Sequence, residues 1–260
     1  MFFSCSEVQI LIPDGPGPAN GRILLIEEFT GVECARCAPA SILLKSIAED
    51  SEGAIVYYAV HGGFLAEPHV ESKYDFRNPA AYHLETSNIF FGKPAASFNR
   101  VLPDNGETAK SLFNTWQPFI DAELAKKQVI EISMSTDYNA TTRQVTVFVG
   151  VTLLEDIDGK VNLNMLITES HLIDPQDSPT TRILDFEHNH VVKSFLSSVD
   201  GDMVGINLKA EETINRTYSY TIPTEDNGEW TVENMEITAF VTSEDRNGEV
   251  QQAAQILLVE

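Results

Sequence analysis

Three things are scarce in this chain, and each scarcity removes a class of function. Cysteine occurs three times in 260 residues. A zinc site built only of sulfur needs four, so that reading falls on ligand count. Basic side chains number 17 against 39 acidic ones, a net charge of -22. Nucleic-acid binding needs clustered Lys and Arg and is excluded as a partner class. Long apolar runs are missing too, and no stretch reaches the length of a bilayer-spanning helix. No Asp/Asn/Gly loop has calcium-site spacing, and no internal repeat is visible. What remains has an ordinary globular composition, 43% hydrophobic and 22% charged. The acidity is uneven. Residues 1–128 hold 10 basic and 16 acidic side chains, residues 129–260 hold 7 and 23, which reads as a solvated acidic surface.

Two of the three cysteines stand together, in Cys34-Ala35-Arg36-Cys37. They follow the apolar run Ile23–Ile26 and precede a helical stretch from Ser41 to Glu49. A thiol at the point where a strand hands over to a helix meets unpaired N–H groups and the positive end of the helix dipole, which favour thiolate. Two intervening residues let the second thiol close back on the first within a turn. The arrangement resembles a thioredoxin-type redox site; half of a zinc site is the weaker alternative. Cys34, nearer the helix N-terminus and solvent, is the expected attacking thiol and Cys37 the resolving one.

The order of elements divides the chain. Residues 1–20 form an N-terminal arm and linker rich in Pro and Gly. Residues 21–128 alternate strand and helix signals: strands at 22–29, 54–60 and 95–101, a helix at 40–48, a largely helical stretch at 67–91 broken near Asn78-Pro79, and an amphipathic helix at 110–127 with Leu112, Trp116, Phe119, Ile120 and Leu124 inward. Pro118 kinks that helix or marks its start. After Lys127 the pattern turns to strands, at 129–135, 144–153, 161–168, 213–222, 236–242 and 251–259. Asp158-Gly159, Asn227-Gly228 and Asn247-Gly248 mark expected hairpin turns. The expected fold is an α/β thioredoxin-like domain over residues 21–128, followed by an all-β immunoglobulin-like sandwich domain over residues 129–260.

Further residues join the cysteine pair. Pro94, directly before an apolar strand, matches in position the cis-proline loop that faces the cysteines of thioredoxin folds and holds an extended peptide. Glu28, at the end of the first strand, matches the buried acid of such folds, which takes a proton from the resolving thiol. Alternation sends its neighbour Glu27 to the other face, where a solvated role is expected. Arg36 and Lys93 are cations that would stabilise a Cys34 thiolate or contact substrate, with Glu33 acting against them. His61, ending the second strand, is a candidate substrate contact. His188 and His190 would share a face in a strand, a geometry open to metal, though packing roles are the expectation and no metal or cofactor is assigned.

Beyond these sites, Ile26-Glu27-Glu28-Phe29-Thr30-Gly31-Val32, Tyr74-Asp75-Phe76-Arg77-Asn78-Pro79, Phe91-Gly92-Lys93-Pro94, Asp185-Phe186-Glu187-His188-Asn189-His190 and Ala239-Phe240-Val241 resemble, in order and spacing, a family of Bacteroidetes-type outer-membrane lipoproteins named for a protein of roughly 28 kDa, a common mass for two domains. The resemblance implies an envelope location and architecture more than an activity. Phe2-Phe3-Ser4-Cys5-Ser6-Glu7 resembles the end of a lipoprotein signal; the resemblance implies that Cys5 would be lipidated and anchor the protein to a membrane. Two functions follow from the whole reading. One is thiol–disulfide exchange with protein thiols or disulfides in the envelope. The other is a binding or adhesion lipoprotein in which Cys34–Cys37 is a structural bond. Here Glu33 replaces the aromatic residue that usually precedes the first cysteine in thioredoxin, Ala-Arg replaces Gly-Pro, and the insertion from Gly62 to about Ile89 is longer.

Overall fold

The computed structural model describes residues 20–102, 106–224 and 230–259. Cys5 and the Asn227-Gly228 pair lie outside them. Strand β1 (Leu24–Phe29) leads through the cysteine loop to helix α1 (Cys37–Asp50), then to strand β2 (Ile55–Val60), helix α2 (Pro79–Thr86), strand β3 (Ala95–Phe98) and helix α3 (Gln117–Leu124). Nine strands come next: β4 (Ile130–Asn139), β5 (Gln144–Leu153), β6 (Ile157–Glu169), β7 (Leu172–Asp177), β8 (Arg182–His188), β9 (Val191–Phe195), β10 (Asp202–Leu208), β11 (Thr213–Thr221) and β12 (Met235–Ser243). Strand β13 (Val250–Leu257) closes the chain. The protein is mixed α/β, with few helices and one large sheet.

That sheet has the order β13-β12-β6-β9-β2-β1-β3, with β10 also paired to β6. Strands on both sides of residue 128 therefore share one hydrogen-bonded sheet, joined where Ala59 of β2 meets Val191 of β9. Period-two alternation sorts the side chains of β1. Leu24 and Ile26 face α1 and α3, packing with Leu44, Trp116 and Ile120. Leu25 and Phe29 face the opposite side, with Tyr58, Leu84, Leu166 and Phe240. At the other end of the large sheet, the three-stranded sheet β11-β5-β4 packs face to face on β6 and β12, its alternating Val145, Val147, Val149 and Val151 all buried.

Several elements depart from expectation. Between residues 67 and 91 only α2 is helical; Asn78 caps it, accepting from Ala81 N at 2.9 Å, with Pro79 opening the first turn. The segment before it is held non-helical by long-range bonds, including Lys73 N to Asp174 Oδ1 at 2.7 Å. Helix α3 starts at Gln117 with Pro118 in its first turn, and Leu112 and Phe119 are exposed rather than inward. Asp158-Gly159 is no hairpin turn: it lies inside β6, where Gly159 at φ +74° meets a register shift in β10 and donates to Asn207 Oδ1 at 2.8 Å. Asn247-Gly248 does turn β12 into β13, both residues at positive φ. Strands β7 to β10 have no counterpart in the sequence reading.

Candidate functional site

Cys34 and Cys37 form a disulfide with a Cα–Cα separation of 5.3 Å. Cys37 is the first residue of α1, and Cys34 lies in the turn before it, its carbonyl accepting from Cys37 N at 2.9 Å. Contrary to the expected solvent-facing sulfur, Cys34 is only 3% exposed and Cys37 is fully buried. Two segments enclose the loop. On one side Leu65 O accepts from Glu33 N at 3.0 Å, and it approaches Gly31 so closely that a Cβ there would lie 2.2 Å from it. Only glycine fits that contact. On the other side the β7–β8 hairpin lies against the loop: Asp177 N donates to Val32 O at 2.8 Å, and the Gln176 side chain reaches Gly31 O and Cys34 O, both at 3.1 Å. His69 Nε2 adds a second bond to Val32 O, at 3.1 Å.

Glu28 sits beneath α1. Ser41, four residues after Cys37 and so on the same helix face, donates to Glu28 Oε1 at 2.6 Å. Burial pushes the Glu28 carboxyl up to about 7, with the Ser41 hydroxyl opposing. The acid borders a cavity of about 160 Å³ together with Thr30, Ser41, Tyr57, His61 and His188. His61 is enclosed, its ring 4.9 Å from Phe76 and 5.7 Å from His188 between centroids. Burial first, then the nearby His188 and Lys93, hold its pKa well below the histidine range; burial holds His188 at about 4. Both rings are therefore neutral at physiological pH.

Expectation for Glu27 fails. It is 1% exposed, not solvated, and accepts from Arg100 Nη2 at 2.8 Å, Arg100 Nε at 3.1 Å and the Tyr58 hydroxyl. Burial would raise its pKa, yet Arg100 prevails and keeps it below the glutamate range. Alternation was right about opposite faces; the second face is interior because β12 brings Phe240 against Arg100, 4.7 Å from ring to guanidinium. Pro94 is buried before β3, and the Lys93–Pro94 peptide is cis. Lys93 is committed to Glu85 Oε2 at 2.7 Å and Phe64 O at 2.6 Å. Arg36 is exposed at the N-cap of α1.

His188 and His190 do not share a face. His190 turns at φ +51° after β8 and lies 3.4 Å from Glu236 and beside Tyr57, whereas His188 packs on Phe76 and Phe186. The positive φ breaks the alternation that a chelating pair would need. Among the described residues no group of three His, Cys, Asp or Glu side chains is placed to hold a metal ion. Sequence reasoning missed His69, Gln176 and Asp177, which reach the cysteine loop only through tertiary contacts; nothing local marks them.

A mixed α/β chain with a disulfide between strand and helix is the class that these observations define. The profile of the Omp28 outer-membrane protein family matches residues 85–257, and the chain belongs to that family. Membership places it in the outer membrane of the cell envelope. The match includes Pro94 and the β7–β8 hairpin but not Cys34 and Cys37. Among solved structures, HBP35 of Porphyromonas gingivalis is similar with a TM-score of 0.68 at 16% identity, covering 94% of this chain and 77% of that one. A protein of Agrobacterium tumefaciens follows at a TM-score of 0.50 and 12% identity, covering 91% and 95%. A domain of the outer membrane lipoprotein Omp28 from Porphyromonas gingivalis reaches 0.36 at 20% identity over 49% of this chain and 86% of that one. No curated protein sequence matches the chain.

Proposed function

We propose that the chain is an envelope lipoprotein that exchanges disulfides with protein thiols, using a thioredoxin-like segment (residues 21–128) followed by an immunoglobulin-like sandwich (residues 129–260). The observation that carries this reading is the Cys34–Cys37 disulfide at the head of α1, with a buried acid of pKa about 7 beneath the helix face that carries Cys37. In the reduced form the Cys34 thiolate attacks a partner disulfide, forming a mixed disulfide and releasing one partner thiolate. Cys37 then gives its proton to Glu28 and attacks Cys34 Sγ. The internal disulfide re-forms, the second partner thiolate leaves, and two electrons have passed to the partner. The reverse sequence oxidises a partner dithiol. Pro94 would hold the extended partner, as the cis-proline loop of thioredoxin folds does. Cys5 carries the acyl anchor.

A second reading, a binding or adhesion lipoprotein with a structural bond, is favoured by one observation: Cys34 is 3% exposed. Titration of the pair in glutathione buffers separates the two. An exchanger is expected to show a potential between about −270 and −120 mV, while a value below about −300 mV identifies a structural bond.

Glu28 makes a pH prediction. Its folded pKa lies above its unfolded value, so the folded chain binds more protons between the two, and stability falls as pH rises from about 4.5 to about 7. Glu28→Gln carries no such penalty. Urea unfolding at pH 4 and pH 8 is expected to show the variant gaining about 3 kcal/mol relative to wild type over that interval. An unchanged difference would remove the perturbed acid from the mechanism.

A further inference from the structure

Gln176 stands at the end of β7, well beyond the residues of the redox segment, and is 2% exposed. Its Nε2 lies 3.1 Å from each of three carbonyl oxygens: Gly31, Cys34 and Asp177. Three acceptors around one atom settle the orientation of the amide, since an oxygen there would face only oxygens. Two of the three belong to the turn that carries the attacking sulfur. The neighbouring Asp177 N binds Val32 O in the same turn. The hairpin is itself tied down at its outer side, where Arg182 pairs with Asp177 at 2.8 Å and with Glu71 at 3.2 Å.

We infer that Gln176 is a positioning residue for the cysteine loop, through which the strand-rich segment sets the redox balance of the pair; the inference rests on the exchange reading above. In the oxidised chain the S–S bond already holds residues 34–37 in place. Reduction removes that link and leaves the turn to its hydrogen bonds and to the packing of Val32 against Phe76, Leu172 and Val191. Gln176 therefore contributes more to the dithiol form than to the disulfide form. Its amide also points N–H dipoles into the turn that must carry a Cys34 thiolate, which favours the reduced, ionised state. Both effects have the same sign. Loss of Gln176 makes the pair harder to reduce.

The test replaces Gln176 with Met, which keeps length and burial but removes both donors. Gln176→Asn, which keeps the amide but shortens its reach, is the milder second variant, and Arg182→Met, which loosens the outer face of the same hairpin, is the control. In glutathione equilibrium the Gln176→Met constant is expected to shift three- to tenfold toward the disulfide, with Arg182→Met within twofold of wild type. Melting temperatures are compared for the oxidised chain and the chain reduced with a phosphine. A larger loss in the reduced form supports positioning. An equal loss in both forms with the equilibrium moved less than twofold, or a shift toward the dithiol, overturns it. If the wild-type pair does not exchange with glutathione, the proposed function fails, while the two melting temperatures still decide the role of Gln176.

Discussion

Cys34→Ser is expected to bring exchange with a test protein disulfide down to the background of the uncatalysed reaction, while Cys37→Ser accumulates a mixed disulfide with the partner. The asymmetry follows from position. Cys34 is in the turn ahead of α1, and Cys37 is fully buried as the first residue of that helix. A partner sulfur can meet only the former, once the contacts from Leu65 and β7 have let it in. A serine hydroxyl forms no S–S bond and stays protonated at neutral pH, so no residual route runs through position 34. Without Cys34 the first covalent step is lost; without Cys37 that step occurs but cannot be resolved. Mass spectrometry of the trapped species separates the two variants. A Cys34→Ser protein that still turns over at the wild-type rate would show that the disulfide is structural.

The largest effect on stability is expected at Arg100. Replacement by Met leaves Glu27, 1% exposed, with neutral hydroxyl partners such as Tyr58 but without its counter-ion. Breaking a buried ion pair from one side costs about 3–5 kcal/mol, because the remaining charge has neither solvent nor counter-ion. The stacking of the guanidinium on Phe240 is lost as well. The penalty depends on pH with a definite sign. In wild type the folded pKa of Glu27 is depressed, so its contribution is present above the unfolded carboxyl pKa and disappears as pH falls through the folded one. In Arg100→Met the carboxyl protonates instead, and the deficit relative to wild type shrinks in acid. Denaturant unfolding at pH 8 and pH 5 measures both. Adding Glu27→Gln is expected to recover part of the loss, since a neutral amide needs no counter-ion. A deficit below about 1 kcal/mol at pH 8 would mean that water reaches Glu27.

This pair also shows how β1 is read by two neighbours at once. Glu28 faces α1 and Glu27 faces β12, and the sequence alone distinguishes the faces without saying what covers them. With a solvated outer face Glu27 would be an ordinary surface acid. Strand β12, more than two hundred residues away in the chain, makes it an interior one. Lys93 follows the same logic. Its place before Pro94 suggests a cation for the cysteine loop, yet Glu85 on α2 takes its charge.

Residue order alone determined what is local. Hydrophobic alternation along β5, the Cys34–Cys37 spacing, the strand before it, the helix after it and the break at Asn78-Pro79 all depend on neighbours a few residues apart, and such patterns survive in the linear string. The tertiary structure decided the rest: that one sheet runs through both segments, that a hairpin with little strand signal of its own covers the cysteine turn, that Gln176 bonds to it, and that Glu27 is interior like its neighbour Glu28. Those outcomes depend on contacts between residues distant in the chain, whose burial is set by whichever element comes to lie on top.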